Sequence, residues 1–386
     1  MADRTAHVST NGHRQPQIPL LEIGTTGLKR SGGFVQEEFL PDLRQHRRGL
    51  TIPDMSMSDA IIGGSLRILK LMMRRAGFVI KPADADNASQ EHAAFLHDAL
   101  FRDMSTPWLE TEADMHSFLE WGFAYHEVCW KRRLGDRPGL VETLDPHTGQ
   151  VIQVELPGSR YTDGQWAWDK WPIRAQDTLF RWVFDPWGQV TGMEQLDPWA
   201  GHGIVTIPMA KALLFRAGAH KGNPEGVSLI RNSYPYWFRK RRILDYLAMA
   251  IEREAGGIPL AEIPPDIMMP DASAEEQALY RRIQDLVTNI RQDEQAGVVW
   301  PMDYNENGQP TYRLSLLQSG AGRRAQPIVQ ALQYLDTQMA ISLLTDVVLL
   351  GHDIRGSQAL ATNKTELLLN GVKALTAIPA DVMTRQ

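Results

Sequence analysis

The chain has 386 residues, 43% of them hydrophobic and 22% charged, which is enough for one large domain or two to three small ones with a genuine core. Its single cysteine, Cys129, excludes an internal disulfide and a cysteine-rich zinc site, and a reducing cytoplasm suits it best. The formal net charge of −6 is opposite to that of a protein that clamps nucleic acid tightly, so a DNA partner should slide rather than stick.

The N-terminal region predicts an arm followed by a helix. Residues 1–50 are polar and lack periodicity, so we expect a flexible arm with little structure of its own. The next apolar stretch, residues 60–80, is interrupted by basic side chains and falls short of the ~20 apolar residues that a membrane span needs. It predicts instead an amphipathic helix over residues 59–75, capped by Ser58. The buried face of this helix should carry Ile62, Leu66, Leu69 and Met73.

Helices and short strands should alternate up to residue 232. We predict a strand over residues 78–80, helices over 89–101 and 110–121, and a strand over 124–130 that begins after Gly122. Beyond residue 139 the turn signals DPHTG, TDG and DPWG separate short β runs. This pattern predicts an antiparallel meander that ends near residue 215.

Two long helices should bracket a small insert in the last third of the chain. The first covers residues 233–255, where Pro235 is tolerated in the first turn. The insert, residues 256–317, should contain a strand, a helix over residues 273–291 and a strand pair around Asn307 and Gly308. The second long helix covers residues 323–345 and should bury Ile328, Leu332, Leu335 and Met339. A glycine-containing loop over 346–357 and a helix from 358 follow, so the predicted fold class is α+β.

No enzyme, metal or cofactor signature stands out. Residues 24–31 have the residue types of a phosphate-binding loop, but the glycine spacing is wrong for one. His116, His126 and Glu127 lack the spacing of a zinc site, and Asp84 and Asp86 lack the rest of a calcium loop. We therefore predict a protein that is not an enzyme and that needs no cofactor.

Aromatic residues are concentrated in the predicted meander. Such a cluster is typical either of a stacking platform for sugars or single-stranded nucleic acid, or of a sheet core or subunit interface, and we favour the second interpretation. The six tryptophans are Trp166, Trp168, Trp171, Trp182, Trp187 and Trp199.

A basic run lies in the first half of the first long helix. It consists of Arg239, Lys240, Arg241 and Arg242, which wrap most of the circumference because consecutive residues are ~100° apart. These side chains could meet DNA phosphates without reading sequence, or pair with acids of the same or a neighbouring subunit. Both interpretations stay open.

Four sequence patches together resemble the Mu-type portal family of tailed bacteriophages. They lie at residues 59–82, 118–133, 219–241 and 349–364, and the third reads AHKGNPEGVSLIRNSYPYWFRKR. The resemblance implies a portal fold and a dodecameric ring at one head vertex that serves as a channel for double-stranded DNA. It also implies the major capsid protein, the terminase large subunit and the head-to-tail adaptor as partners, and a place in the virion after assembly in the host cytoplasm.

The resemblance assigns roles to the predicted segments. Residues 51–232 would form the wing, 233–255 and 323–345 the stem, 256–317 the clip, 346–357 the tunnel loop, and 358–386 the start of the last wing helix, with the crown absent or truncated. The tunnel loop would present Gly351, His352, Asp353, Ile354, Arg355, Gly356 and Ser357, and the basic run would form a girdle on the stem. A channel for a polyanion should be polar and uncharged, which predicts a stem lining of Gln330, Gln333, Thr337 and Gln338.

Two alternatives from other classes remain. The tryptophan cluster could serve a protein that binds carbohydrate or single-stranded nucleic acid. A neck or tail adaptor ring would share the acidic, subunit-interface character of this chain.

Overall fold

The computed structural model describes residues 22–136, 139–145, 148–197, 203–255, 258–289, 299–300, 303–305, 307–317, 322–347 and 358–385. The chain divides into two compact units. The first contains Met1–Arg231 and Ile354–Gln386, and the second contains Asn232–Asp353.

Helices and antiparallel sheets both occur, which confirms the predicted α+β class. The helices are α1 (Gln45–Ser58), α2 (Ala60–Ala76), α3 (Asn87–Phe101), α4 (Trp108–Met115), α5 (Phe118–Trp121), α6 (Tyr234–Ala255), α7 (Ala274–Asn289), α8 (Gly322–Ser342) and α9 (Gln358–Arg385). The strands are β1 (Arg30–Ser31), β2 (Phe34–Val35), β3 (Phe123–Glu127), β4 (Cys129–Arg132), β5 (Leu140–Leu144), β6 (Val151–Glu155), β7 (Trp166–Lys170), β8 (Ile173–Arg174), β9 (Leu179–Phe184), β10 (Val190–Asp197), β11 (Gly203–Pro208), β12 (Ala212–Arg216), β13 (Ile258–Glu262) and β14 (Arg313–Leu317).

The apolar spacing of α2 identified its buried face correctly. Ile62, Leu66, Leu69 and Met73 are all buried, because a spacing of three and four residues places them on one side of the helix. The predicted cap is wrong. Asp59, not Ser58, closes the first turn, and its Oδ1 accepts hydrogen bonds from the backbone N–H groups of Ile61 (2.9 Å) and Ile62 (3.1 Å).

The predicted N-terminal arm is too long. Among its described residues, β1 and β2 form a small hairpin and α1 begins at Gln45. Leu43, Arg48 and Ile52 are buried, so this segment packs against the rest of the unit. Sequence periodicity missed it because α1 contains Gly49 and Pro53, which are unfavourable in helices.

Two further predictions between residues 78 and 121 are corrected. Residues 78–80 follow α2 in an irregular conformation rather than in a strand. The single helix expected over 110–121 is divided into α4 and α5 by a break at His116 and Ser117. Gly122 ends α5 in the left-handed conformation with φ of 90°, as its position predicted.

The β region is only partly a meander. Consecutive strands pair in the order β11-β10-β9, whereas β12 pairs with β3, which pairs in turn with β8. The strands β4 and β7 form a separate antiparallel pair, as do β5 and β6. A core of Phe123, Tyr125, Trp182, Met193 and Leu214 joins the two three-stranded sheets.

The second unit contains the two long helices and the insert between them. Strands β13 and β14 pair along their whole length, from Ile258 opposite Leu317 to Glu262 opposite Arg313. Helix α7 begins with a capping box, in which Ser273 Oγ accepts from Glu276 N and Glu276 Oε2 accepts from Ser273 N. The helix therefore begins where the sequence predicted.

Candidate functional site

The two long helices of the second unit, α6 and α8, pack against each other. Trp237 on α6 and Leu335 and Met339 on α8 are buried. At one end, the hydroxyl groups of Ser233 and Ser342 lie 2.6 Å apart and share a hydrogen bond. The predicted apolar stripe of α8 is therefore confirmed in part, because Leu335 and Met339 are buried whereas Ile328 and Leu332 are half-buried.

The exposed residues of α8 from Pro327 to Ser342 are uncharged, and several of them are polar. Gln330, Gln333 and Thr337 are exposed, whereas Gln338 is half-buried. Thr337 Oγ1 donates to the carbonyl oxygen of Gln333 at 2.9 Å, so this hydroxyl is already satisfied within the helix. Tyr334 and Ile341 are also exposed on this helix, so the face is less uniformly polar than the sequence predicted.

The basic run on α6 does not act as one uniform girdle. Lys240 is largely buried, and its Nζ lies 2.6 Å from Asp336 Oδ1 on α8. Arg239, Arg241 and Arg242 are exposed, and the guanidinium of Arg242 lies 4.5 Å from the ring centre of Phe238. The run thus divides into one cation that joins the helices and three that reach solvent.

The predicted tunnel loop lies outside the described residues. This applies to Gly351, His352, Asp353, Ile354, Arg355, Gly356 and Ser357. The described chain continues through Asp346 and Val347, and resumes in α9.

The loop over residues 219–226, which precedes α6 in the sequence, anchors the N-terminal segment. Glu225 Oε2 accepts a hydrogen bond from Arg48 Nη1 of α1 at 2.6 Å, and Glu225 Oε1 lies 3.3 Å from Trp182 Nε1. Lys221 pairs with Glu37 at 3.2 Å. Sequence reasoning missed this function of the loop, because its partners lie far away along the chain.

A second anchor lies at Arg231, the last residue of the first unit before the chain enters the second unit. Arg231 pairs with Glu38, with its Nε 2.7 Å from Oε2, and its guanidinium lies 4.6 Å from the ring centre of Phe39. Gly226 and Gly122, both with positive φ, approach so closely that a side chain on Gly226 would overlap the carbonyl oxygen of Gly122. The loop is therefore fixed on one side by charge pairs and on the other by backbone contact.

The tryptophan cluster is divided between core and surface. Trp182 and Trp171 are buried and meet neighbouring aromatic rings edge to face, Trp182 with Phe123 at 5.3 Å and Trp171 with Trp168 at 5.1 Å. Trp166 and Trp187 are exposed, and Trp199 lies outside the described residues. The core interpretation therefore holds for two of these rings, and no single flat platform is formed by all of them.

The histidines and carboxylates considered as metal ligands have other partners. His126 is fully buried and its Nδ1 lies 2.8 Å from the carbonyl oxygen of Trp171, while Glu127 pairs with Arg174 and Lys211. Desolvation lowers the pKa of His126 to about 4, and the same cause lowers the pKa of His116 to about 4. Asp86 caps α3 by accepting from Ser89 N. Within the described residues, no three side chains of His, Cys, Asp or Glu cluster as metal ligands would.

A known protein family matches most of this chain. A model of the family described as the portal protein of Mu bacteriophage matches residues 52–386. The chain belongs to this portal family. The resemblance indicated by the four sequence patches is thereby confirmed, and the protein is a viral structural protein of the portal type.

Solved structures give a more distant comparison with this portal chain. One, from the neck of an empty gene transfer agent (GTA) particle computed with C6 symmetry, is 12% identical with a TM-score of 0.47 and covers 80% of this chain and 71% of its own. Another, from the neck of a native GTA particle computed with C12 symmetry, is 12% identical with a TM-score of 0.44, and the match covers 76% and 68% of the two chains. A third, from the virion of native GTA, is 11% identical with a TM-score of 0.44 and coverage of 75% and 67%.

Among the helices of the described residues, none has both the length and the apolar character needed to cross a bilayer.

Proposed function

We propose that this chain is the subunit of a ring-shaped channel at one vertex of a tailed-phage head, through which double-stranded DNA is packaged and ejected. Twelve copies form the ring, which docks the terminase large subunit during packaging and the head-to-tail adaptor afterwards, and which sits among copies of the major capsid protein. Membership of the portal family supports this assignment.

The observation that carries the proposal is the uncharged face of α8. From Pro327 to Ser342 this helix contains one charged residue, Asp336, which pairs with Lys240 of α6. The exposed amides and hydroxyl of Gln330, Gln333 and Thr337 therefore offer no fixed positive charge to a passing duplex. Each neutralised phosphate would add salt-dependent affinity and so would slow the DNA, and an uncharged wall avoids this.

The exposed apolar residues of α6 support self-association. Leu244, Tyr246 and Met249 are exposed on this helix. An isolated chain would leave these side chains in water, whereas neighbouring copies in a ring would bury them. In this proposal α6 and α8 form the stem, and the insert with α7, β13 and β14 forms the clip.

The direct test is the oligomeric state of the purified chain. Negative-stain images viewed along the ring axis should show annular particles with a central hole, and mass measurement should give the number of copies. A clean monomer at high protein concentration would contradict the proposal. Rings whose copy number is not twelve and that fail to bind terminase would favour a neck or tail adaptor ring instead.

A further inference from the structure

The two-stranded sheet of β4 and β7 carries an aromatic and basic surface. Antiparallel pairing places Trp130 opposite Trp168 and Arg132 opposite Trp166, so these four side chains lie on one side of the sheet together with Lys170. Half of the Trp130 surface and 54% of the Trp166 surface are exposed, and Arg132 and Lys170 are exposed as well. The opposite side is buried, as Lys131 and Ala167 show. We call the exposed side the tryptophan face.

A groove continues from the tryptophan face. Its volume is about 810 Å³, and Trp130, Trp168 and Trp171 line it together with Val79 and Leu213. Lys81 is the charged side chain among its described lining residues. The face and the groove together form an apolar surface with positive charge, built by the first unit alone.

The hairpin of β5 and β6 carries the opposite charge and exposes apolar side chains. Its two strands pair with each other and with no other strand of the described residues. Leu140, Leu144 and Val151 are 63% to 68% exposed. An isolated two-stranded hairpin is marginally stable in water, and exposed apolar strands with free edges tend to find a partner.

The charges of the hairpin limit what this partner can be. Glu142, Asp145 and Glu155 are acidic, and the described residues 139–145 and 148–155 contain no lysine or arginine. Two hairpins placed against each other would bring like charges together, which disfavours a symmetric pair. The hairpin therefore needs a surface that is apolar and basic, and the tryptophan face is such a surface.

We infer that the β5–β6 hairpin of one copy docks on the tryptophan face and groove of a neighbouring copy. The inference rests on the proposed ring and names one contact that closes it. Because the two surfaces differ, the contact is heterologous, and each copy can give a hairpin to one neighbour and receive one from the other. Repetition of such a contact produces a closed ring when the rotation between copies allows closure.

Single-stranded nucleic acid is the other ligand class that such a surface suits, since bases stack on tryptophan and phosphates meet arginine and lysine. The hairpin is favoured because the chain itself supplies a segment of matching apolarity and opposite charge.

Two variants damage the two sides of the contact separately. L144D/V151D places charges on the hairpin, and W130D/W166D places them on the tryptophan face. Each variant alone should remain monomeric at a concentration where the wild type forms rings. Mixed in equal amounts, the two variants should form a heterodimer and nothing larger. The intact hairpin of W130D/W166D can dock on the intact face of L144D/V151D, and the remaining hairpin and face of that dimer are both damaged. W187D, which alters an exposed tryptophan in the β9–β10 turn, should assemble as the wild type does.

The outcomes separate this inference from the proposed function. A wild-type chain that forms no rings would overturn both. If the wild type forms rings and either double variant does so as well, the docking contact alone is overturned. The same holds if both variants are folded by circular dichroism but their mixture stays monomeric. Single-stranded DNA binding that W130D/W166D abolishes without affecting ring formation would assign the face to nucleic acid instead.

A milder substitution covers the case in which the aspartate variants do not fold. L144T/V151T keeps side chains that favour β structure but removes apolar surface from the hairpin. The protein concentration at which rings half-dissociate should rise by about tenfold. An unchanged midpoint would overturn the inference.

Discussion

The carboxylate of Glu225 accepts a hydrogen bond from Arg48 across a sequence separation of 177 residues, with Arg48 Nη1 2.6 Å from Glu225 Oε2. Both side chains are largely shielded from solvent, being 11% and 18% exposed. This pair joins α1 to the loop before α6, and Trp182 Nε1 on β9 approaches the other oxygen of the same carboxylate. This loop, which begins the third of the four patches that resemble the portal family, is therefore a structural junction within the first unit.

Substitution of Glu225 by alanine should lower the free energy of unfolding by about 3 kcal/mol, because it leaves the buried guanidinium of Arg48 without its counter-charge. Denaturant titration followed by circular dichroism measures this loss. The control is D381A, which removes the exposed i,i+4 pair between Asp381 and Arg385 and should cost about 0.5 kcal/mol or less. In a double-mutant cycle, E225A and R48A should be strongly non-additive. Additive losses would show that the pair does not couple.

The start of α2 offers a direct comparison between two candidate caps. Asp59 accepts from two backbone N–H groups of the first turn, whereas Ser58 Oγ donates to Asp54 Oδ1 at 2.9 Å. D59A should therefore cost about 1 kcal/mol of stability, and S58A should cost a few tenths. Thermal melting of the two variants under the same conditions is sufficient. Equal losses would argue against Asp59 as the cap.

Residues close in sequence were predicted more reliably than residues that meet across the fold. The burial of Ile62 and Met73 follows from spacing within one helix, and Gly122 marks the end of α5 by its own conformational freedom. The pairing of β12 with β3, and of Glu225 with Arg48, depends on contacts between distant segments that no local pattern encodes. The basic run is a further example. Lys240 differs from its neighbours because it pairs with Asp336 on α8, and the sequence around Lys240 does not reveal this contact.

Buried histidines should make the protein less stable in mild acid. His116 and His126 have folded-state pKa values lowered to about 4, whereas an unfolded chain titrates near its ordinary 6.5. Between pH 6.5 and 4 the unfolded state therefore binds more protons, and stability falls by about 1.4 kcal/mol per pH unit for each histidine. The raised pKa of Glu112, caused by desolvation, acts in the opposite direction but becomes important only nearer its own titration range.

The slope of stability against pH between 6.5 and 5 tests this assignment. H126Q should reduce this slope by about 1.4 kcal/mol per pH unit, which is the contribution of one bound proton, whatever its effect on the stability at pH 7. H97Q, at a side chain that is 48% exposed, is the matched control. A wild-type protein that is as stable at pH 5 as at pH 7 would contradict both pKa assignments.

The four members of the basic run should respond differently to charge reversal. K240E would place two negative charges together at the α6–α8 contact and should destabilise the second unit by about 1 to 3 kcal/mol. The swap K240E/D336K should recover most of that loss. R239E/R242E changes exposed cations and should leave the fold intact, while the yield of packaged DNA falls if these side chains contact the duplex or a neighbouring subunit.

Packaging yield and ring assembly are measured on the same preparations. If K240E and R239E/R242E lowered the free energy of unfolding equally, Lys240 would not differ from the exposed arginines in its contribution to stability. Unchanged assembly and packaging for R239E/R242E would remove any role of the exposed arginines in the channel.

Tryptophans of the β region should divide into two energetic classes. Trp182 is 2% exposed and packs between the two three-stranded sheets against Phe123 and Tyr125, whereas Trp187 is 63% exposed. W182A should therefore lower the free energy of unfolding by about 3 to 5 kcal/mol, because it removes a large buried side chain and leaves a cavity. W187A should change it by about 0.5 kcal/mol or less. Guanidinium titration compares the two, and since each variant removes one indole, the signal is far-ultraviolet circular dichroism rather than fluorescence. Similar small losses for both would place Trp182 at the surface and restore the stacking-platform interpretation of the cluster.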